Sequence, residues 1–238
     1  MLLKPRLTPN VMPPDVHVRS RWRLAAFIAG LVSLWAAIAS PLAELDHHLL
    51  TAHMVQHLLT MTVAAPLILL GVPAVPPLQR LNPFGNIITH PVFCWLAGTG
   101  VVIAWHIPAL FEVGMRSAGW HIFEQATFFA AGLLFWCPVI RPWPIFETPT
   151  RWGIPVYLFL ATLPCDALSA FLTFCDRVVY PHYASSSHRM FDISALNDQE
   201  LAGALMWVWV TFIYLAPAVA VTIQALSPQQ RTLDAEVV

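Results

Sequence analysis

An all-α bundle of about six membrane-spanning helices is the fold this sequence predicts, and three observations predict it. The 238 residues are 58% hydrophobic and only 11% charged, less than half the roughly 25% charged residues of an ordinary soluble domain. Mean hydropathy is +0.65. Apolar runs of about 20 residues, the length a helix needs to cross the hydrocarbon core, recur along the chain. No strand alternation and no internal repeat competes with them. The same composition excludes intrinsic disorder, and a net charge of −1 leaves no basic footprint for nucleic acid.

A basic segment, residues 1–23, comes first, and residues 24–226 form the bundle, with a short tail over 227–238. The first span runs from about Leu24 to Ala39 and the second from Leu49 to Leu70. The third covers Pro91 to Val113, the fourth Trp120 to Ile140, the fifth Trp152 to Phe174 and the sixth Leu201 to Leu226. Turn formers separate them: Gly71-Val72-Pro73, Asn82-Pro83-Phe84-Gly85 and Pro142-Trp143-Pro144. Prolines also fall inside spans, which a membrane helix tolerates where neighbours satisfy the freed carbonyl. Kinks are expected at Pro108 and Pro164, and a packing role for Pro66 and Pro217. Ala37-Ile38-Ala39 has the small-x-small form of a signal-peptidase site. The long basic region before it and Ser40-Pro41 after it favour an uncleaved helix.

Lysine and arginine set the orientation. With six spans, Lys4, Arg6, Arg19, Arg21, Arg23, Arg80, Arg141, Arg151 and Arg231 share one side, against Arg116, Arg177 and Arg189 on the other. Both termini are therefore expected in the cytoplasm of a cell whose inner membrane holds the chain. Trp22, Trp120, Trp143 and Trp152 sit at span ends, as an interfacial aromatic belt should. Trp105, beside His106, is read as a packing residue or a wall of the site.

The ten histidines are unevenly placed. His17 and His90 fall on the cytoplasmic side, and His182 and His188 read as ordinary loop residues. The other six gather at the outer ends of spans two, three and four. At 1.5 Å per residue, His53 lies roughly 6 Å and His57 roughly 12 Å below the outer end of span two. His106 lies about 10–12 Å down span three, and His121 opens span four. Depth therefore places His57 and His106 in one tier and His53 and His121 in a shallower one. His53 and His57, four apart, also share a helix face. His47 and His48 read as interfacial residues or a metal access route.

Met206 of span six and Asp166 of span five reach similar depths, and Glu124, a turn after His121, is a further pairing candidate. Intramembrane ionisable groups face the bundle interior and mark function. Imidazole suits zinc, copper and iron, while thioether favours Cu(I). His53, His57, His106 and His121, with Met206 or Asp166 added, suit copper best, as Cu(I). Hydrolysis is disfavoured, because His53-Met54-Val55-Gln56-His57 lacks the glutamate of a metalloprotease helix. Cys94, Cys137, Cys165 and Cys175 form no C-x-x-C pair, and only Cys165, next to Asp166, is a ligand to test.

The ordered motifs resemble one family. Ser40-Pro41-Leu42, His53-Met54-Val55-Gln56-His57 running into Ala65-Pro66-Leu67, and Trp105-His106-Ile107-Pro108 are similar to motifs of the multi-span CtaG-like cytochrome c oxidase assembly factors. So are His121 followed by Phe135-Trp136-Cys137-Pro138, and Asp198-Gln199-Glu200-Leu201-Ala202-Gly203 with Met206-Trp207. The resemblance covers roughly residues 24–226. It implies a membrane protein that helps mature a haem–copper oxidase by handling copper, with oxidase subunits and an outer-side copper chaperone as partners. Its motif histidines carry over to His53, His57, His106 and His121. Where the family pattern has a second histidine in span four, this sequence has Gln125, which leaves Met206, Glu124 or Asp166 to complete the shell.

Three other readings compete. A haem b or di-metal redox protein could use His57 and His106 as axial ligands, and a visible spectrum would reveal it. A structural scaffold would bind no metal. A copper channel would need polar residues continuing to the cytoplasmic face, and beyond His90 there are few.

Overall fold

The computed structural model describes residues 14–72, 88, 90–140, 152–184 and 192–226, the side chains of 14–20 and 225 excepted. Among them every regular element is helical. In chain order these are α1 (Pro14–Ile38), α2 (Leu42–Leu45), α3 (Leu50–Leu58), a π-helical segment (Leu59–Ala64), α4 (Ala65–Gly71) and α5 (Pro91–His106). There follow α6 (Pro108–Met115), α7 (Ala118–Ile140), α8 (Gly153–Phe174), α9 (Pro181–Ala184) and α10 (Ala195–Leu226). The turns expected at Asn82-Pro83-Phe84-Gly85 and Pro142-Trp143-Pro144, and Trp143, His188 and the 227–238 tail, lie outside the described residues.

Among the described residues, five stretches are long and apolar enough to cross a membrane: Arg21–Leu45, Leu50–Gly71, Ala118–Ile140, Gly153–Phe174 and Ala195–Gln224. The bent pair α5 and α6 makes a sixth if counted as one span. Large apolar side chains cover their outsides, with Phe174 and Phe212 each at least 70% exposed. Such a continuous apolar surface belongs against lipid. The helix of the first span starts at Pro14, ten residues before the expected Leu24.

The third span breaks at the expected Pro108 kink: α5 ends at His106, and α6 leaves at 79°. The residue before a proline is pushed out of the α region, and Ile107 is extended, with φ −68° and ψ 124°. Pro108, which needs no amide partner at a helix start, then opens α6. Pro164, also expected to kink its span, lies inside the unbroken α8.

The second span is the hub, packed against α1, α7 and α10. Its π-helical segment has a local cause. A proline ring clashes with the carbonyl four residues back in an α-helix, and Pro66 would do so with Thr62. In the wider π turn Ala65 N–H donates to Thr60 O, five residues back. Pro66 has no N–H for the next carbonyl, Met61 O, and the indole Nε1 of Trp136 on α7 donates to it instead, at 3.1 Å. Gly132 allows that approach, because a Cβ there would stand 2.9 Å from Met61 O.

The start of α3 is capped from across the bundle. Its N-cap position, Leu49, has no side-chain acceptor. Asp198 of α10 supplies one: Oδ2 accepts from Leu50 N–H at 2.6 Å, and Oδ1 accepts from Thr51 N–H at 3.2 Å and from Thr51 Oγ1 at 2.6 Å. A carboxylate at a helix N-terminus satisfies orphan amides and opposes the positive end of the dipole. Gln199 holds the neighbouring loop, accepting from Val179 N–H at 2.7 Å and donating to Arg177 O at 3.1 Å. Asp198 therefore fixes the helix that carries His53 and His57, while Gln199 fixes the loop after α8.

Candidate metal centre

His53 and His57 present one face of α3 to α7, where Glu124 meets them. Their Nε2 atoms lie 2.7 Å apart. Glu124 Oε1 stands 3.4 Å from His53 Nε2 and 3.3 Å from His57 Nε2. All three side chains are buried. Around an ion with bonds of about 2.0 Å, tetrahedral ligand atoms stand about 3.3 Å apart. The two histidine–carboxylate edges have that length, and the shorter N···N edge is one ring donating to the other. A buried carboxylate is costly unless compensated. Glu124 Oε2 has no hydrogen-bond partner and Oε1 faces only the two imidazoles, so a cation among the three ligand atoms would complete its surroundings.

A second group adjoins the first. His121 Nε2 lies 3.1 Å from Asp46 Oδ2, and His47 Nε2 lies 3.7 Å from Asp46 Oδ1. Asp46 is fully buried, while the His47 side chain is 46% exposed, so this group opens outward. Burial pushes the Asp46 carboxyl up, but the His121 hydrogen bond and the attraction of His121, His47 and His53 outweigh it and hold it below its ordinary value. The His121 ring stacks on His53, centroids 5.8 Å apart. Gln125 crosses to α3, donating Nε2 to Gln56 Oε1 at 2.9 Å.

The third cluster lies on the other side of His57. His106 Nε2 is 3.4 Å from Met54 Sδ, at the wall of a cavity of about 30 Å³ that His57, Met61, Cys165 and Met206 also line. That space is large enough for a single ion or water-sized guest. It does not hold a haem between His57 and His106, since pockets for small organic ligands take about 300–1,000 Å³.

The bend at Pro108 closes the assembly. It lays Phe111 of α6 on the His53 ring at 5.0 Å and on Tyr180 at 4.2 Å. Tyr180 donates its hydroxyl to His106 O at 3.1 Å, and Tyr183 to Asp46 O at 2.7 Å. Burial pushes both phenols up, which keeps them neutral donors. Gly114 leaves room for the carboxylate, since a Cβ there would stand 2.7 Å from Glu124 Oε2.

The depth tiers hold as neighbourhoods, since His57 and His106 line one cavity and His53 and His121 stack, but the shortest contacts run otherwise. His53 pairs with His57 and Glu124, His121 with Asp46, and His106 with Met54. Met206 is buried on the cavity wall. Asp166 belongs to neither cluster nor cavity: Thr211 donates to its Oδ1 at 3.4 Å. One residue is 100° of helix rotation, and Cys165 takes the inward direction. Asp46, Met54 and Met61 were missed. The spacing of Met54, His57 and Met61 at i, i+3 and i+7 was the available signal for one stripe.

The fold and site define a polytopic helical membrane protein with buried metal-type ligands gathered at one end of the bundle. The chain belongs to the cytochrome c oxidase caa3 assembly factor (Caa3_CtaG) family, whose model matches residues 11–227. It is thus a cytochrome c oxidase assembly factor. No curated protein and no solved structure matches it significantly.

Proposed function

We propose that this assembly factor is a non-catalytic copper carrier of the inner membrane. Copper is its cargo, received at the outer face from a copper chaperone and passed to an oxidase subunit. The observation that carries the reading is the convergence of His53 Nε2, His57 Nε2 and Glu124 Oε1 with edges of 2.7–3.4 Å. The half-exposed His47 with Asp46 and His121 forms the receiving side, one ring stack from His53. Delivery is an exchange of ligands, which needs no covalent chemistry by the protein.

Two histidines and a glutamate also form a known zinc set, so the test counts both metals. The full chain is purified from membranes without added metal and assayed by mass spectrometry and by its visible spectrum. Copper bound to the wild type, and lowered by at least one ion per chain in His57→Ala and Glu124→Gln while both variants remain in the membrane, is the expected result, with lowered oxidase activity in the same cells. Stoichiometric zinc, a Soret band, or copper unchanged in both variants overturns the proposal.

A further inference from the structure

The cavity beyond His57 has a chemistry of its own. Seven methionines and four cysteines among 238 residues would put less than one sulfur on twelve wall positions. Four are there: Met54, Met61, Cys165 and Met206. The remaining wall is largely apolar, with Val102, Phe128 and Val210 among it, so water finds few partners inside.

His106 supplies the second observation. Its Nδ1 is 2.7 Å from Val102 O, and a carbonyl can only accept, so Nδ1 carries the proton. In the neutral ring Nε2 is then a bare lone pair. The atom it faces at 3.4 Å is Met54 Sδ, a thioether with no proton to give. Two lone pairs thus meet in a buried wall with no hydrogen between them. Around a closed-shell ion with nitrogen and sulfur bonds of about 2.0 and 2.3 Å, a tetrahedral N···S edge is about 3.5 Å. Metal-bound histidines also usually donate the other ring N–H to a carbonyl or carboxylate. His106 does so, whereas Nδ1 of His53 and of His57 has no partner.

We propose that this cavity is a second, sulfur-based site for a soft monovalent ion, with Met54, His106, Cys165 and Met206 as its donors, distinct from the His53–His57–Glu124 triangle. Thioether and thiolate sulfur select Cu(I), and Ag(I) is its redox-inert counterpart. Cys165 would join as thiolate, releasing its proton to bulk water as the ion enters. His57 borders both places, so a single side chain separates the nitrogen and oxygen site from the sulfur site.

The experiment titrates the detergent-solubilised full chain with Ag(I), and anaerobically with Cu(I) against a chromophoric Cu(I) chelator. X-ray absorption at the copper edge reads the donor atoms. Glu124→Gln is expected to keep one ion with sulfur neighbours. Met54→Leu/Met206→Leu, a volume-conserving pair that cores tolerate, is expected to bind that ion at least tenfold more weakly and to lose the sulfur signal. Helicity and a single elution peak check that this variant is folded. Should the double-leucine protein bind Ag(I) as the wild type does, or should bound Cu(I) show only nitrogen and oxygen neighbours, the cavity is a packing void and the proposal fails. A sulfur-bound ion in a protein whose Glu124→Gln variant loses nothing would instead remove the triangle and leave this site standing.

Discussion

Gly114→Ala tests the carboxylate of the triangle without touching a ligand. The new Cβ would stand 2.7 Å from Glu124 Oε2 and 3.3 Å from Trp105 Cζ3. Ordinary contact begins at 3.4 Å, so the carboxylate must retreat by about 0.7 Å. It has little room, being 1% exposed with its other oxygen 3.3 and 3.4 Å from the two imidazoles. Metal sites hold bond lengths to within about 0.2 Å, so the displacement exceeds the tolerance. Disturbing the support of a metal ligand typically lowers affinity about 10–100-fold, and a loss in that range is expected. Alanine is also the better helix former, by about 0.5–1 kcal/mol, so α6 is not weakened by propensity. Copper content and competition with a chelator read the affinity, and thermal unfolding in detergent reads the fold. Wild-type affinity in the alanine variant would show that Glu124 is not a ligand in this position. Loss of metal together with a collapsed melting temperature would refute the argument that the effect is local.

Two further outcomes follow from the hub. Trp136→Phe keeps an aromatic ring but leaves Met61 O without its donor at the π-helical segment. A buried unsatisfied carbonyl costs about 1–3 kcal/mol, so the variant should melt earlier, and an unchanged transition would rule out the indole as the carbonyl's necessary partner. Asp198→Ala removes the acceptor of Leu50 and Thr51 N–H and should destabilise by about 0.5–2 kcal/mol. Amide exchange should quicken first at the start of α3, and uniform quickening along the chain would contradict a capping role.

The spans were legible because a bilayer imposes a length on every crossing helix, and hydropathy reads that length directly. Proline and the preceding residue announced the break at Ile107. Its size, which lays Phe111 over His53, depends on tertiary packing that no local rule contains. The π-helical segment stayed hidden, since an apolar run looks the same in either hydrogen-bond register. At the site, the i, i+4 pairing of His53 and His57 was readable from sequence. Depth was a weaker guide than direction around the helix. Asp166 and Cys165 differ by one residue in depth, yet only Cys165 reaches the cavity. Asp46 and Glu124 come together with their histidines through contacts between helices that single-helix geometry does not specify.

The π-helical segment also separates two tasks that a regular helix would tie together. In an uninterrupted α-helix, the direction of His53 and His57 would be fixed by whatever rotation best packs α4 against α1. The wider turn supplies roughly one residue of slack, about 100° of rotation, between those halves. The histidine half can then aim at α7 while the proline half keeps its own seat on α1. A one-residue deletion within Leu59–Ala64 would remove that independence and swing both imidazoles off Glu124, although every ligand would still be present in the chain.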